Sequence, residues 1–264
     1  MKRILFFLLI LVAGNKAFGQ THFTLIDTIK LAHEAHFTTD YLGNCYIYQN
    51  GDLFKYNKNG KQIGTYSTRE FGNIGYIDAS NPLKTLVVYP DFSKAVVLDA
   101  SLSANTTISL NFPGLVPVNL ICTSRDAGYW VYDEGAQRLK KLDNQYNVIL
   151  EGTEMGQISA DPVKPEFLLE SGRWLFIGTS DNGILVFDRY GTYFKTIRLN
   201  DIKGIQVEDN EVIYLDNNII NALDVRSQVS RTFALPDVAE ISQARLAPDR
   251  LFLVSADILK IYSF

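Results

Sequence analysis

Short apolar runs, each closed by a polar residue, recur along the chain at a nearly fixed interval. They read Leu53-Phe54-Lys55-Tyr56-Asn57, Ala95-Val96-Val97-Leu98-Asp99, Leu139-Lys140-Lys141-Leu142-Asp143, Ile184-Leu185-Val186-Phe187-Asp188 and Ile220-Asn221-Ala222-Leu223-Asp224. A last copy, Leu259-Lys260-Ile261-Tyr262-Ser263, ends the chain. The closing residues lie 42, 44, 45, 36 and 39 positions apart. Upstream of each copy is a run rich in β-branched and aromatic residues, such as Cys45-Tyr46-Ile47-Tyr48, Tyr129-Trp130-Val131-Tyr132 or Trp174-Leu175-Phe176-Ile177. Turn formers separate the two runs, as at Gln49-Asn50-Gly51-Asp52 and Ser180-Asp181-Asn182-Gly183. Downstream, turns such as Asn57-Lys58-Asn59-Gly60 and Arg189-Tyr190-Gly191 lead into a further strand, for example Phe194 to Leu199. A weaker strand opens each unit, as at Gly75-Tyr76-Ile77-Asp78 and Ile205-Gln206-Val207. Four strands in about 41 residues is the size of one propeller blade.

The two ends of the chain test this reading. The sixth unit stops at Phe264 after three strands. An orphan strand, Phe23 to Leu31, precedes the first complete unit. Lent to the last blade, it closes the ring and pairs an edge that would otherwise be open. The expectation is an all-β, six-bladed β-propeller of four-stranded blades, one domain over residues 20–264, completed by the strand at about 23–31. A β-sandwich would lack the 41-residue period. A helical repeat would need apolar residues three and four apart over ten or more positions. Only the stretch around Ala32-His33-Glu34-Ala35-His36 faintly suggests helix, and it is too short.

Residues 1–19 change the picture of destination. Lys2 and Arg3 precede the apolar run Ile4 to Val12, and Ala17-Phe18-Gly19 places small residues where a signal peptidase reads. The run is too short for the roughly 20 residues a membrane helix needs. Cleavage before Gln20 predicts an exported chain of 245 residues with no direct membrane insertion. No cysteine for lipidation lies near the cleavage site. Removing Lys2, Arg3 and Lys16 takes the formal net charge from −4 to −7. So acidic a surface, without a basic run, argues against nucleic acid as a partner. The composition, 47% hydrophobic and 20% charged, is that of an ordinary globular chain, and 14 Tyr with 16 Phe favour strands.

The layout resembles the six-bladed propellers of the NHL and YWTD type over the whole of residues 20–264. It has neither the Trp-Asp endings of WD40 repeats, since Trp130 and Trp174 precede aliphatic residues, nor regular Kelch glycine pairs. Cys45 falls in the second strand of blade 1 and Cys122 in the first strand of blade 3. Non-adjacent blades exceed the ~7 Å Cα separation a disulfide tolerates, so two free, buried thiols are expected.

The search for chemistry finds no converging set, so no catalytic, cofactor or metal residues are predicted. His22, His33 and His36 are all N-terminal, and His33-Glu34-Ala35-His36 lacks the zinc-protease spacing. Propeller lyases and hydrolases of the NHL class supply histidines from several blades, whereas blades 2 to 6 here have none. Asp181-Asn182-Gly183, Glu208-Asp209-Asn210 and Asp216-Asn217-Asn218 offer oxygen ligands, but none continues into a full calcium loop, and turn chemistry accounts for them. No spacing singles out a carboxylate pair, and Asp27-Thr28-Ile29 matches a short bacterial O-glycosylation pattern. The expected function is non-enzymatic protein binding by a chain that is a monomer by itself. In size and layout the chain is similar to the small periplasmic propellers of bacteria that use type IX secretion. That resemblance implies a plug subunit at the periplasmic mouth of a large outer-membrane translocon. The alternatives are a glycan- or peptide-binding propeller and a propeller lyase or hydrolase.

Overall fold

Each recurring Asp or Asn turns out to fold the hairpin that follows it. Asn57 Oδ1 accepts the backbone N–H groups of Asn59 (3.0 Å) and Lys61 (3.1 Å). Asp99 Oδ1 accepts those of Ser101 (2.8 Å) and Ser103 (2.9 Å). The same pattern holds at Asp143 with Gln145 and Asn147, and at Asp188 with Tyr190 and Thr192. Asp224 does it with Arg226 and Ser227. The sixth copy ends in Ser263, the last residue of β24 (Ile258–Ser263). The period in the sequence is therefore a period of side-chain-capped turns.

The computed structural model describes residues 22–264 except 117, 180–182 and 200–202. The expected leader, residues 1–19, lies outside the described residues. A first strand, β1 (Thr24–Lys30), precedes blade 1, which comprises β2 (His36–Thr39), β3 (Cys45–Gln49), β4 (Asp52–Tyr56) and β5 (Gln62–Ser67). Blade 2 is β6 (Tyr76–Asp78), β7 (Thr85–Tyr89), β8 (Lys94–Leu98) and β9 (Ala104–Ser109). Blade 3 is β10 (Ile121–Thr123), β11 (Tyr129–Asp133), β12 (Arg138–Leu142) and β13 (Val148–Glu154). Blade 4 is β14 (Pro165–Ser171), β15 (Trp174–Thr179), β16 (Gly183–Asp188) and β17 (Tyr193–Ile197). Blade 5 is β18 (Lys203–Glu208), β19 (Glu211–Asp216), β20 (Ile219–Asp224) and β21 (Ser230–Ala234). Blade 6 is β22 (Ile241–Ala247), β23 (Arg250–Ser255) and β24 (Ile258–Ser263), with β1 as its fourth strand.

The fold is thus a six-bladed β-propeller closed by its own N-terminal strand. β1 runs antiparallel to β24 from Thr24 opposite Ser263 to Lys30 opposite Ile258, with one bulge between Leu25 and Asp27. The stretch 32–35 forms a turn rather than a helix.

Within each blade the strands are lettered A to D outward, and the first strands of blades 3 and 4, 4 and 5, 5 and 6, and 6 and 1 touch one another around the axis. Hydrophobic packing lies between blades, one cluster per seam. Leu86, Val97, Val131 and Leu142 fill the seam of blades 2 and 3, for instance, and Trp130, Leu139, Leu175 and Phe187 that of blades 3 and 4. This is why the B strands, covered on both faces, read as continuous apolar runs. One seam needs glycine: Thr153 N–H donates to the Gly191 carbonyl at 2.9 Å, and a Cβ on Gly152 would lie 2.6 Å from that oxygen.

The capped turns make an acid-stability prediction. Hydrogen bonds from Ser101, from Asn147 and from Ser227 hold the carboxyls of Asp99, Asp143 and Asp224, respectively, below the usual carboxylate range. Groups with a depressed folded pKa stabilise above the unfolded value of ~3.9 and lose that contribution as pH falls through the folded value. The triple substitution Asp99→Asn, Asp143→Asn and Asp224→Asn should leave the neutral-pH melt nearly unchanged, since Asn57 already performs the same capping with an amide. It should flatten the loss of stability below about pH 4. Equal acid limbs in wild type and variant, by pH-dependent chemical denaturation, would refute the assignment.

Candidate interaction face and central channel

One face of the ring carries the A–B and C–D connections, and their lengths divide it. The A–B connections span residues 40–44, 79–84 and 124–128 in blades 1 to 3 but only 172–173, 209–210 and 248–249 in blades 4 to 6. Half of the rim is therefore raised and half is flat.

The raised loops are built by buried carboxylates. Asp40 Oδ1 accepts the backbone N–H of Leu42 (3.0 Å) and of Asn44 (2.9 Å). Its Oδ2 accepts the Asn44 amide (2.8 Å) and the Tyr46 hydroxyl (2.9 Å). In blade 2, Asp78 Oδ1 accepts Ser80 N–H at 2.9 Å, Asn81 Oδ1 accepts Leu83 N–H at 3.0 Å, and Lys84 N–H returns to the Asn81 carbonyl at 2.9 Å. With the loop backbone tied inward, the apolar side chains point out. Tyr41, Leu42 and Leu83 are 52%, 54% and 68% exposed. On the same face the C–D turns of blades 4 and 5 add exposed Tyr190 and Val229.

Beneath this rim, polar side chains on the inner strands lock blade to blade. Tyr76 OH accepts Ile121 N–H (2.5 Å) and donates to the Ile121 carbonyl (2.6 Å). Asp78 Oδ2 accepts both the N–H (2.8 Å) and hydroxyl (2.7 Å) of Thr123. Glu170 accepts from Ser124 Oγ (2.7 Å), Trp130 Nε1 (2.9 Å) and Arg125 N–H (3.3 Å). Gln206 accepts Leu246 N–H at 2.9 Å and donates back to the Leu246 carbonyl at 2.6 Å. At the closing seam, Lys58 pairs with Asp249 (2.8 Å), and Arg250 donates to the Lys58 carbonyl (2.8 Å) and to Asn59 Oδ1 (2.9 Å). The locks at Asp78, Glu170 and Gln206 replace water on buried polar groups, so the disc resists shear as well as bending.

The residues singled out from sequence are dispersed. His33 is exposed beside Glu34, and His36 stacks on Tyr48 with ring centroids 5.4 Å apart. Cys45 and Cys122 are both free and buried, and burial pushes both thiols up. Trp130 and Trp174 are core residues. Asp181 and Asn182 lie outside the described residues. Asn217 and Asn218 adopt left-handed backbone (φ 47° and 60°) in the β19–β20 turn. Glu208, Asp209 and Asn210 line a cavity of about 300 Å³ with Glu211 and Asp224, and burial pushes the Glu208 carboxyl up. Among the described residues, no group of three or more His, Cys, Asp or Glu could hold a metal ion, and no helix is long and apolar enough to cross a membrane. A second cavity, of about 400 Å³, lies between the outer parts of blades 2 and 3 and is lined by Asn111, Phe112, Gln145, Tyr146 and Asn147, among others.

No family model and no curated protein sequence matches the chain. Solved structures do match in shape. The Pan2 WD40 domain of Neurospora crassa superposes with a TM-score of 0.62 at 9% identity, over 91% of this chain and 95% of that one. Virginiamycin B lyase of Staphylococcus aureus gives 0.59 at 12% identity, over 92% and 100%. A catalytically inactive histidine-to-alanine form of that lyase with quinupristin gives 0.60 at 13% identity, over the same shares. At such identities the likeness shows the fold alone. The propeller shape accompanies the WD40 domain although the chain has no Trp-Asp endings.

Proposed function

We propose that this chain is an exported, non-enzymatic propeller that binds another protein through the A–B face. The observation that carries the reading is the raised rim, where Tyr41, Leu42 and Leu83 are held outward on loops whose backbone is already hydrogen-bonded. Anchors on pre-formed backbone surrender little conformational freedom on docking. Residues 1–19, read as a leader, support export and, with the blade layout, a periplasmic location peripheral to the outer membrane. The partner is a large outer-membrane translocon of type IX secretion, whose periplasmic mouth the disc plugs. Size, leader and blade layout support that partner, and a ring locked at successive seams has the stiffness a plug requires.

The lyase-like neighbours do not carry over their chemistry. The Staphylococcus aureus enzyme is inactive in a histidine-to-alanine form. Here His22, His33 and His36 lie in the N-terminal segment and first inner strand, and blades 2 to 6 have no histidine. A second reading, binding of a glycan or peptide, is favoured by the cavity of about 400 Å³, where amides sit beside the Phe112 and Tyr146 rings and no lining residue is charged.

Affinity purification from the native envelope separates the two. A stoichiometric outer-membrane protein supports the plug, and a free monomer retained on carbohydrate supports the second reading. The combined substitution Tyr41→Ser, Leu42→Ser and Leu83→Ser should cut partner capture by about 30-fold or more while shifting stability by only about 0.5 kcal/mol per site. Undiminished capture by a folded triple variant would exclude this face.

A further inference from the structure

Charged side chains that the fold buries are matched. Lys55 reaches the Ala100 carbonyl (2.9 Å), Lys140 meets Asp133 (2.9 Å), Lys141 meets Asp126 (2.6 Å), and Asp40, Asp78 and Glu170 accept the bonds described above. Among the half-buried cations Arg245 lacks such a match, as does Lys84, which lies over the Tyr129 ring. Arg245 sits half-buried on the inner strand β22. Among the described residues its guanidinium forms no hydrogen bond and no ion pair, and it lies over the Phe37 ring of blade 1, centroid 5.8 Å away.

Register sharpens the anomaly. Counted back from the polar residue that ends each C strand, Arg245 occupies the level of Asp78 and Gln206. Those two side chains point at the next blade and accept its backbone N–H. At the seam between blades 6 and 1 the same level carries a group that can only donate. Burial lowers the pKa of Arg245, with the Tyr48 hydroxyl and Cys45 thiol acting the other way, yet an arginine stays charged at neutral pH. The other cations of this seam, Lys58 and Arg250, are already paired. One positive charge without an ion pair remains, over the Phe37 ring and opposite Phe252 in the strand pair.

We infer that Arg245 is the anchor of an anion site on the channel side of the closing seam, built for a carboxylate attached to an apolar stem. A single charge matches a carboxylate better than a dianionic phosphate, the planar guanidinium can grip both oxygens, and the seam walls suit an aliphatic body. The site stands independently of which protein docks on the rim. The carboxylate can be a free small acid or an acidic side chain of a peptide entering the channel.

The test uses the intact mature protein with butyrate, 1-butanol and hexaglutamate as probes, each against sodium chloride of equal ionic strength. Butyrate or hexaglutamate at about tenfold over its Kd should raise Tm by roughly 3 °C, and butanol should not. A response to hexaglutamate alone identifies the peptide source, and a response to butyrate the free acid. Arg245→Gln should abolish the response, and Arg245→Lys should keep it with about tenfold weaker affinity. In the wild-type protein the Arg245 Nε–H resonance should shift on titration, a readout that needs no variant. Neither probe moving Tm or that resonance, or an undiminished response in Arg245→Gln, overturns the site.

Discussion

A chain lacking residues 22–31 should aggregate and lose its cooperative melt. The deletion strips β24 of its partner along Ile258 to Ser263, leaving a strand of Ile, Leu, Ile and Tyr as an open edge. It also removes buried Leu31, whose N–H donates to the Asp257 carbonyl at 2.7 Å, and Phe23, which packs edge-on against Tyr262 and Phe264. Losing a ladder and its packing costs on the order of 5 kcal/mol, comparable with the whole stability of many domains. Circular dichroism melts and light scattering read the outcome. A synthetic peptide of residues 22–31 should restore the transition in trans. If the shortened chain melts cooperatively at the temperature of the intact one, β1 is not the closing strand.

Glu170→Ala should be the most damaging single substitution in the inner ring. Its carboxylate is buried and gathers three donors from blade 3, including the Trp130 indole. Truncation strands these donors away from water and opens a hole beside the Trp130–Leu175 packing. The expected cost is about 3 kcal/mol, or a fall in Tm of roughly 6–12 °C. Glu170→Gln should recover part of it, because the amide oxygen still accepts from the indole. Calorimetry decides the matter, and a loss under about 1 kcal/mol for Glu170→Ala would mean the lock contributes little.

The blades could be read from the sequence because their signals are local. Asn57, Asp99, Asp143, Asp188 and Asp224 each cap a turn within four residues, so the repeat prints itself at a fixed interval. The closing strand was legible for a similar reason, since one unit was short by a strand and one strand lacked a unit. The locks were not. Tyr76 with Ile121, Glu170 with Trp130 and Gln206 with Leu246 join residues forty or more positions apart, and nothing at either position announces the other. The raised half-rim was equally hidden, because it depends on comparing A–B spans whose ends are visible only once the weak inner strands are placed. In the fourth blade the outer strand stops at Ile197, two residues before the apolar pattern ends at Leu199.

Pairing Thr24 with Ser263 makes the longest possible loop the last one to shut. During synthesis the final sheet cannot be completed before residues 258–263 have been made. The high contact order of that one step predicts a slow final phase in refolding, preceded by faster consolidation of blades 1 to 5. A circular permutant that joins the natural ends and reopens the chain inside another seam would move that late step to a different pair of blades without altering the finished ring.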